Sequence, residues 1–276
     1  MLTFIVALHC EAKPLIDLYK LKKVVDKPFD LYRRDGDQTN PGVELLITGI
    51  GALSVSSAVG WLAGRNSDDS QRVWLNIGTS GHMNHAIGTI ILVHGVGDEV
   101  LQKSHYPPLV AKWPGLTDAV LTVTAPCSDY PGGAAVDMEA YAFFITANRF
   151  SDSEIVQSLK VISDNEEYGI EHLNASKLTE LVQNKIADID AYAQALLNIR
   201  PDEFEYDISA IQQMRGTHSQ RRQAGELLKK LSALNASQEM TELEASLADC
   251  SHLKEVLPIL NQAVDSVVPS LGGDNG

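Results

Sequence analysis

The chain has 276 residues, of which 44% are apolar and 21% are charged. This length and composition suit one large domain with a packed core, or one domain with an appendage, and exclude a largely disordered chain. The net charge of −14 comes from 36 acidic and 22 basic side chains. Because such a surface repels phosphate backbones and anionic lipids, we expect no general binding to nucleic acids or to membranes.

The cysteine pattern and the N-terminal run both point to an ordinary cytoplasmic protein. Cys10, Cys127 and Cys250 are far apart and show no C-x-x-C spacing, which predicts neither a disulfide framework nor a zinc site. The N-terminal run "MLTFIVAL" is too short to span a bilayer and lacks the basic region of a signal peptide. It is predicted to be the first strand.

Strand-like runs alternate with helix-like stretches along the first 200 residues. The predicted strands, in chain order, are 2–8, 43–50, 72–78, 88–97, 119–125, 134–138 and 158–163. Helices are predicted to begin near Glu11–Pro14, to follow in "ALSVSSAVGWLAG" and "EAYAFFITANRF", and to span 174–198; "GTSGHM" is predicted to be a tight turn. Continuous Val, Ile and Leu runs between helical patterns indicate an α/β architecture with a largely buried sheet.

The character of the sequence changes from Pro201 onward. "PDEFEYD" is an acidic, turn-rich link, and no strand pattern follows it. Amphipathic helices are predicted over 208–234 and 237–268, the second interrupted near Ser251 and Pro258, with a mobile tail after them. We therefore predict an α/β domain over 1–200 and a helical extension over 201–276.

Polar residues follow several of the predicted strands. Glu11, Gly49–Gly51, Gly78–Gly81, Asp137–Glu139 and Asp164 all fall at predicted strand ends. Singly, each acid also fits a plainer role in the first turn of a helix or in a solvated turn. Because ligands of open α/β sheets bind outside the carboxyl ends of the strands, the set together predicts a small-molecule site.

Other site classes are disfavoured by their spacing. "GIGALS" lacks the third glycine of a dinucleotide fingerprint, and neither a G-x-S-x-G elbow nor a P-loop occurs. His82 and His85 are three residues apart with no matched ligand nearby in the sequence, so they are predicted to be loop histidines. No metal and no cofactor are expected.

The order of the motifs resembles the purine nucleoside phosphorylase and nucleosidase superfamily, and within it the methylthioadenosine/S-adenosylhomocysteine nucleosidases. Five segments over residues 2–197 carry the resemblance: "ALHCEAKPL", "TGIGALSVSSAVG", "LNIGTSG", "VDMEAYA" and "VISDNEE". It implies a nucleoside phosphorylase-like three-layer α/β/α fold with a mixed central sheet, followed by the C-terminal helical extension. It also implies a homodimer that takes a purine nucleoside as its small-molecule partner.

The resemblance implies roles for individual residues. Asp164 would be the general acid that protonates purine N7, and Ser163 would help to orient Asp164 or the base. Glu11 would deprotonate the attacking water, held with help from the Thr79 hydroxyl. The remaining substrate contacts would come from Glu139, which accepts hydrogen bonds from ribose hydroxyls, from Met138 against the sugar, and from Gly78 and Ser80 in the "GTSG" segment.

Residues of this chain favour hydrolysis over phosphorolysis. Asn76 stands where related phosphorylases carry an arginine, and Glu11 replaces their N-terminal phosphate loop. An anion without cationic partners binds poorly, so water is the expected nucleophile. Phosphorolysis remains the alternative reaction.

The chain departs from the family pattern in the region that holds the base. Between "AVLTVTA" and "VDMEA" it has only "PCSDYPGGAA", where Tyr130 or the backbone near Cys127–Ser128 would have to take over base binding. Lys160 stands where the nucleosidases often have arginine. Adenine, in a 5′-substituted or 5′-deoxyadenosine, is the base that the resemblance suggests. A catalytically weak nucleoside-binding protein, whose C-terminal helices bind a protein partner, is the alternative outside enzymes.

Overall fold

The computed structural model describes residues 1–36, 41–65, 71–127, 130, 133–199, 214–233, 246–247 and 250–267. The chain divides into two compact units, Met1–Arg200 and Pro201–Gly276. No helix among the described residues is long and apolar enough to cross a membrane.

The first unit is built on one mixed sheet, whose central strands are rich in buried Val, Ile and Leu. Its described strands are β1 (Leu2–Val6), β2 (Lys22–Val25), β3 (Asp30–Arg34), β4 (Val43–Ile47), β5 (Val73–Gly81), β6 (Ile90–Asp98), β7 (Lys103–His105), β8 (Leu116–Thr122), β9 (Ala135–Asp137) and β10 (Val156–Asp164). Parallel pairing joins β4, β1, β5 and β10 in that order, and antiparallel β3 and β2 extend the sheet beyond β4. The predicted mixed sheet is confirmed.

Part of this sheet closes on itself. The strand order runs β10–β6–β8–β9–β5, and β10 also pairs with β5, so these five strands form a ring. The register sets Gly81 of β5 beside Val136 of β9 and beside Asp164 of β10. Three of the predicted polar segments are therefore brought together by strand pairing.

Helices cover both faces of the sheet, which confirms the three-layer arrangement. They are α1 (His9–Tyr19), α2 (Ala52–Arg65), α3 (Ala140–Ala147), α4 (Ala175–Asn184) and α5 (Ile186–Ile199). Apolar residues of α1, α4 and α5 share one buried cluster with Phe4, whereas those of α2 and α3 share another with Ile5. Consecutive residues of a strand point to opposite faces, so β1 contributes to both cores.

Three features of this unit differ from the sequence-based expectations. "GTSG" is not a tight turn, because Thr79–Gly81 continue β5 and pair with β10. The single helix expected over 174–198 is two helices, since Lys185 leaves the helical conformation at φ −109°. Strands β2, β3 and β7 were not predicted; β2 and β7 are mostly exposed, and exposed strands lack the apolar run that identifies a buried one.

The described part of the second unit is a pair of helices, α6 (His218–Ala233) and α7 (Leu253–Val267). Leu228 and Leu231 of α6 pack with Val256 and Leu260 of α7 in a separate apolar cluster. The interruption predicted at Pro258 is wrong, because α7 runs through this residue near its N-terminus and loses only one backbone hydrogen bond. The interruption predicted near Ser251 agrees with the start of α7 at Leu253. The rest of the predicted helical spans and the tail lie outside the described residues.

Candidate active site

A cavity of about 260 Å³ opens where β5, β9 and β10 meet. Seven of the eight site residues predicted from the sequence line it: Glu11, Thr79, Ser80, Met138, Glu139, Ser163 and Asp164. These residues bring three carboxyl groups and three hydroxyl-bearing side chains from four separate segments of the chain, and Asp137, which also lines the cavity, adds a fourth carboxyl group. Sheet topology, rather than sequence proximity, assembles them.

Glu11 enters the cavity from the first turn of α1. One of its oxygens accepts hydrogen bonds from the Thr79 backbone N–H at 2.8 Å and from Thr79 Oγ1 at 2.7 Å, and the other accepts from the Leu8 N–H at 3.2 Å. Burial raises the pKa of Glu11 above its ordinary value, although these bonds and the charge of Lys160 oppose the shift. The result is a fixed carboxyl group that is more basic than an exposed one.

Thr79 lies between two other residues of β5 with predicted roles. Gly78 lies beside the cavity rather than in its lining, and a Cβ there would stand 3.3 Å from Lys160 Nζ and 3.8 Å from Glu11 Oε1. Ser80 is among the residues that line the cavity, and its buried Oγ has no hydrogen-bond partner among the described residues. A buried hydroxyl without a protein partner is available to a ligand.

Glu139 lies directly before α3 and reaches across to Gly51, whose backbone N–H donates to Glu139 Oε1. Gly51 has φ +99°, a left-handed conformation that favours glycine. Burial, and secondarily the charge of Asp137, raise the pKa of Glu139 to about 7. Its neighbour Met138 packs against an apolar cluster that includes Val136.

Asp164 owes its placement to a β-bulge at the end of β10. The register pairs Ile162 with Ser80 and Asp164 with Gly81, which leaves Ser163 as the extra residue. Ser163 Oγ donates to Asp164 Oδ1 at 2.6 Å, and both side chains are buried. Bulges re-aim side chains, and this one allows two consecutive residues to face the same cavity.

A buried ion pair lies at the same end of the sheet, and the sequence did not predict it. Lys160 Nζ is 2.8 Å from Asp137 Oδ2, and this carboxylate also accepts hydrogen bonds from Thr122 Oγ1 and from the Ala140 N–H, each at 2.8 Å. Burial alone would lower the pKa of Lys160, but Asp137 and Glu139 reverse this effect and keep the amine charged. One indication of this ion pair is visible in the sequence: Lys160 occupies a position where the motif predicts arginine, which is also a cation.

The short connection between β8 and β9 contributes to the cavity in an unexpected way. Cys127 lines the cavity together with Val123 and Pro126, whereas Ser128 lies outside the described residues. Of the two alternatives for base binding, Cys127 therefore lies at the cavity, whereas Tyr130 is not among the described lining residues. Its hydroxyl donates instead to Asp164 Oδ2 at 2.8 Å.

His82 and His85 follow β5 in a loop, as predicted, and Asp118 joins them from β8. The backbone N–H groups of Asn84 and His85 both donate to His82 Nδ1 at 3.0 Å, so Nε2 carries the proton of the neutral ring. His82 Nε2 lies 3.3 Å from Asp118 Oδ2, and His85 Nε2 lies 2.8 Å from the same oxygen. Because a metal ligand needs a free lone pair, these contacts fit a hydrogen-bonded cluster better than a metal centre.

No family model matches the sequence, and no curated protein matches it. Solved structures do resemble it. A 5′-methylthioadenosine/S-adenosylhomocysteine nucleosidase from Colwellia psychrerythraea 34H, in complex with adenine, is 16% identical with a TM-score of 0.57, over 71% of this chain and 95% of that one. The corresponding nucleosidase of Chlamydia trachomatis is 19% identical with a TM-score of 0.55 (69% and 96% covered), and the Arabidopsis thaliana 5′-methylthioadenosine nucleosidase is 16% identical with a TM-score of 0.54 (73% and 96%). At these identities the likeness is one of fold.

Proposed function

Because the chain has a nucleoside phosphorylase/nucleosidase-like fold, we propose that it is a nucleoside N-ribohydrolase. The substrate class is a purine nucleoside, with adenine as the base and a 5′-substituted or 5′-deoxyribose as the sugar. The observation that carries this proposal is the set of three buried carboxyl groups, Glu11, Glu139 and Asp164, around one cavity. Each is held by its own hydrogen-bond donors.

Asp164 acts at the base. Breaking the bond between N9 and the C1′ carbon leaves the electron pair on the purine, and a proton delivered to N7 lets the base depart neutral. Asp164 supplies this proton from a buried position, and Ser163 fixes one of its oxygens. A positioned acid of this kind typically contributes about 10²–10⁴ in rate.

Glu11 and Glu139 act at the sugar, where positive charge develops. A water molecule bonds to C1′ and gives a proton to Glu11, while the Thr79 hydroxyl helps to hold the water. Glu139 accepts hydrogen bonds from ribose hydroxyls, and Met138 packs on the sugar. The Ser80 hydroxyl is free to make a further polar contact, and Gly78 leaves room for the charged groups behind the cavity.

Water is the better nucleophile for this site than phosphate. The described residues that line the cavity include neither arginine nor lysine. Lys160, the nearby buried cation, is engaged with Asp137. Since a phosphate anion would face four carboxyl groups without a cationic partner among the described lining residues, phosphorolysis is disfavoured.

The test is release of free base from a panel of nucleosides, with and without phosphate, followed by chromatography. The panel contains adenosine, inosine, methylthioadenosine, S-adenosylhomocysteine and 5′-deoxyadenosine. We expect release that does not depend on phosphate, and a fall in kcat of about 10²–10⁴ in both Asp164→Asn and Glu11→Gln.

Asp17→Asn is the matched control, because Asp17 lies exposed on α1 and pairs only with Lys13 among the described residues. It should release base at the wild-type rate. Strict dependence on phosphate would make the protein a phosphorylase. Binding of a nucleoside without release would instead identify a nucleoside-binding protein, with the C-terminal helices as the part that carries its function.

A further inference from the structure

Both oxygens of the Asp164 carboxyl group are held by hydroxyl groups of the protein. Ser163 Oγ donates to Oδ1 at 2.6 Å, and the Tyr130 hydroxyl donates to Oδ2 at 2.8 Å. Tyr130 is only 5% exposed and packs in an apolar cluster with Val123 and Val136. Nothing in the proposed reaction uses this tyrosine.

The contact between Tyr130 and Asp164 is built into the end of β5. A Cβ on Gly81 would overlap both Asp164 Oδ2 and the Tyr130 ring, so only glycine leaves room for the pair. His82, the next residue, donates its backbone N–H to the Asp164 carbonyl at 3.0 Å, and its Nε2 lies 3.4 Å from the Gly133 carbonyl. The strand end thus supports both the carboxyl group and the connection that carries Tyr130.

We infer that Tyr130 is a positioning residue for Asp164: its hydroxyl, together with that of Ser163, fixes the orientation of the carboxyl group that delivers the proton to the base. Tyr130 acts through Asp164, since it is absent from the described lining of the cavity. This inference rests on the proposed role of Asp164 as the general acid.

The charges around Tyr130 keep it a hydrogen-bond donor. Burial, and then the hydrogen bond to Asp164, raise the pKa of Tyr130 well above its ordinary value of 10. Glu171, from the short helical turn Ile170–His172, and Cys127 raise it further. The phenol therefore stays protonated across the working range and keeps the proton that it donates to Asp164 Oδ2.

Tyr130→Phe removes this hydroxyl and keeps the ring. Because the orientation of the acid is then less fixed, kcat should fall about tenfold while KM changes little. The control is Tyr192→Phe, which removes a buried hydroxyl that has no hydrogen-bond partner among the described residues; it should leave kcat and KM unchanged.

A second measurement is independent of turnover. In the full-length protein labelled with ¹³C at aspartate Cγ, the Asp164 resonance is assigned by its loss in Asp164→Asn. Its chemical shift should differ from that of the wild type in Tyr130→Phe, which lacks the hydrogen bond to Oδ2, and should equal it in Tyr192→Phe. Equal chemical shifts in all three proteins would overturn the inference, whatever the rates. If the wild type releases no base but the chemical shift changes in Tyr130→Phe, the proposed reaction fails and the contact to Asp164 stands.

Discussion

At the scale of single residues, the three carboxyl groups with proposed roles in the cavity differ in their surroundings rather than in their chemistry. Glu11 accepts three hydrogen bonds from the protein. Glu139 accepts one from Gly51 and lies close enough to Asp137 to be repelled. Asp164 is held by two hydroxyls. Differences in the neighbouring groups allow one carboxyl group to act as an acid and another to act as a base within the same site.

Replacement of Glu139 by glutamine should remove a pH dependence near neutrality. Burial and Asp137 raise the pKa of Glu139 to about 7, and only the ionised form accepts two ribose hydroxyls well. In the wild type, kcat/KM should therefore rise with pH and level off above about pH 7. In Glu139→Gln this limb should be absent, and kcat/KM at pH 8 should be roughly 10- to 100-fold lower, which is typical for a lost hydrogen bond to a charged group.

The same substitution should change how stability depends on pH. The folded state raises the pKa of Glu139 from 4.5 to about 7. The protonated Glu139 therefore adds to the free energy of unfolding in full below about pH 4.5, and this stabilisation is lost as the pH rises to about 7. Between pH 5 and pH 8, the free energy of unfolding measured with urea should therefore fall less in Glu139→Gln than in the wild type.

Glu180→Gln is the control for both measurements, because Glu180 is a largely exposed glutamate of α4; it should behave as the wild type. If the limb near pH 7 persists in Glu139→Gln, a group other than Glu139 causes that limb.

At the scale of elements, the paired ends of β5 and β10 hold the site together. Gly81→Ala should drive Asp164 and Tyr130 apart, since a Cβ there overlaps both. We expect kcat to fall about 100-fold or more, in line with misplacement of a catalytic group by about 1 Å.

Gly60→Ala in α2 is the control for Gly81→Ala, because a Cβ at Gly60 meets no atom within 4 Å. Alanine in a helix should raise the free energy of unfolding by about 0.5–1 kcal/mol without changing the rate. Wild-type activity in Gly81→Ala would show that Asp164 does not depend on this close approach.

The sequence predicts the elements well and their termini less well. The buried strands are visible as apolar runs, and the acids that follow β1 and lie near the ends of β9 and β10 indicate where a ligand would bind. The extension of β5 through Thr79–Gly81 was missed because Gly and Ser are typical of turns, whereas pairing with β10 decides the conformation. Tyr130, 34 residues before Asp164, could not be assigned its contact, since a hydrogen bond at that distance in sequence leaves no local pattern.

At the scale of the whole molecule, we propose that the α/β domain ends at residue 200 and that 201–276 form a helical extension. The packing of α6 against α7 through their own apolar cluster supports a second unit with its own core. The resemblance to nucleosidases also leads us to propose a cytoplasmic homodimer.

Limited proteolysis of the full-length chain tests this boundary. We expect an early cut in the acidic, turn-rich link that the sequence predicts over 201–207, identified by mass spectrometry. The N-terminal fragment should keep base release within about twofold, because all the proposed site residues precede residue 200. A fragment that loses all activity on cleavage would show that the helical extension completes the site. Sedimentation of the intact protein gives its oligomeric state.

The closed ring of β5, β10, β6, β8 and β9 has a consequence for how this site can diversify. Each strand of the ring has a neighbour on both sides, so the sheet does not rely on the connection over residues 123–134 to cover an exposed edge. That connection can be lengthened, shortened or exchanged without uncovering an aggregation-prone strand. Loop grafting at this position, with Glu11, Asp164 and the positioning residue Tyr130 kept, is accordingly the route by which the choice of base would be redesigned.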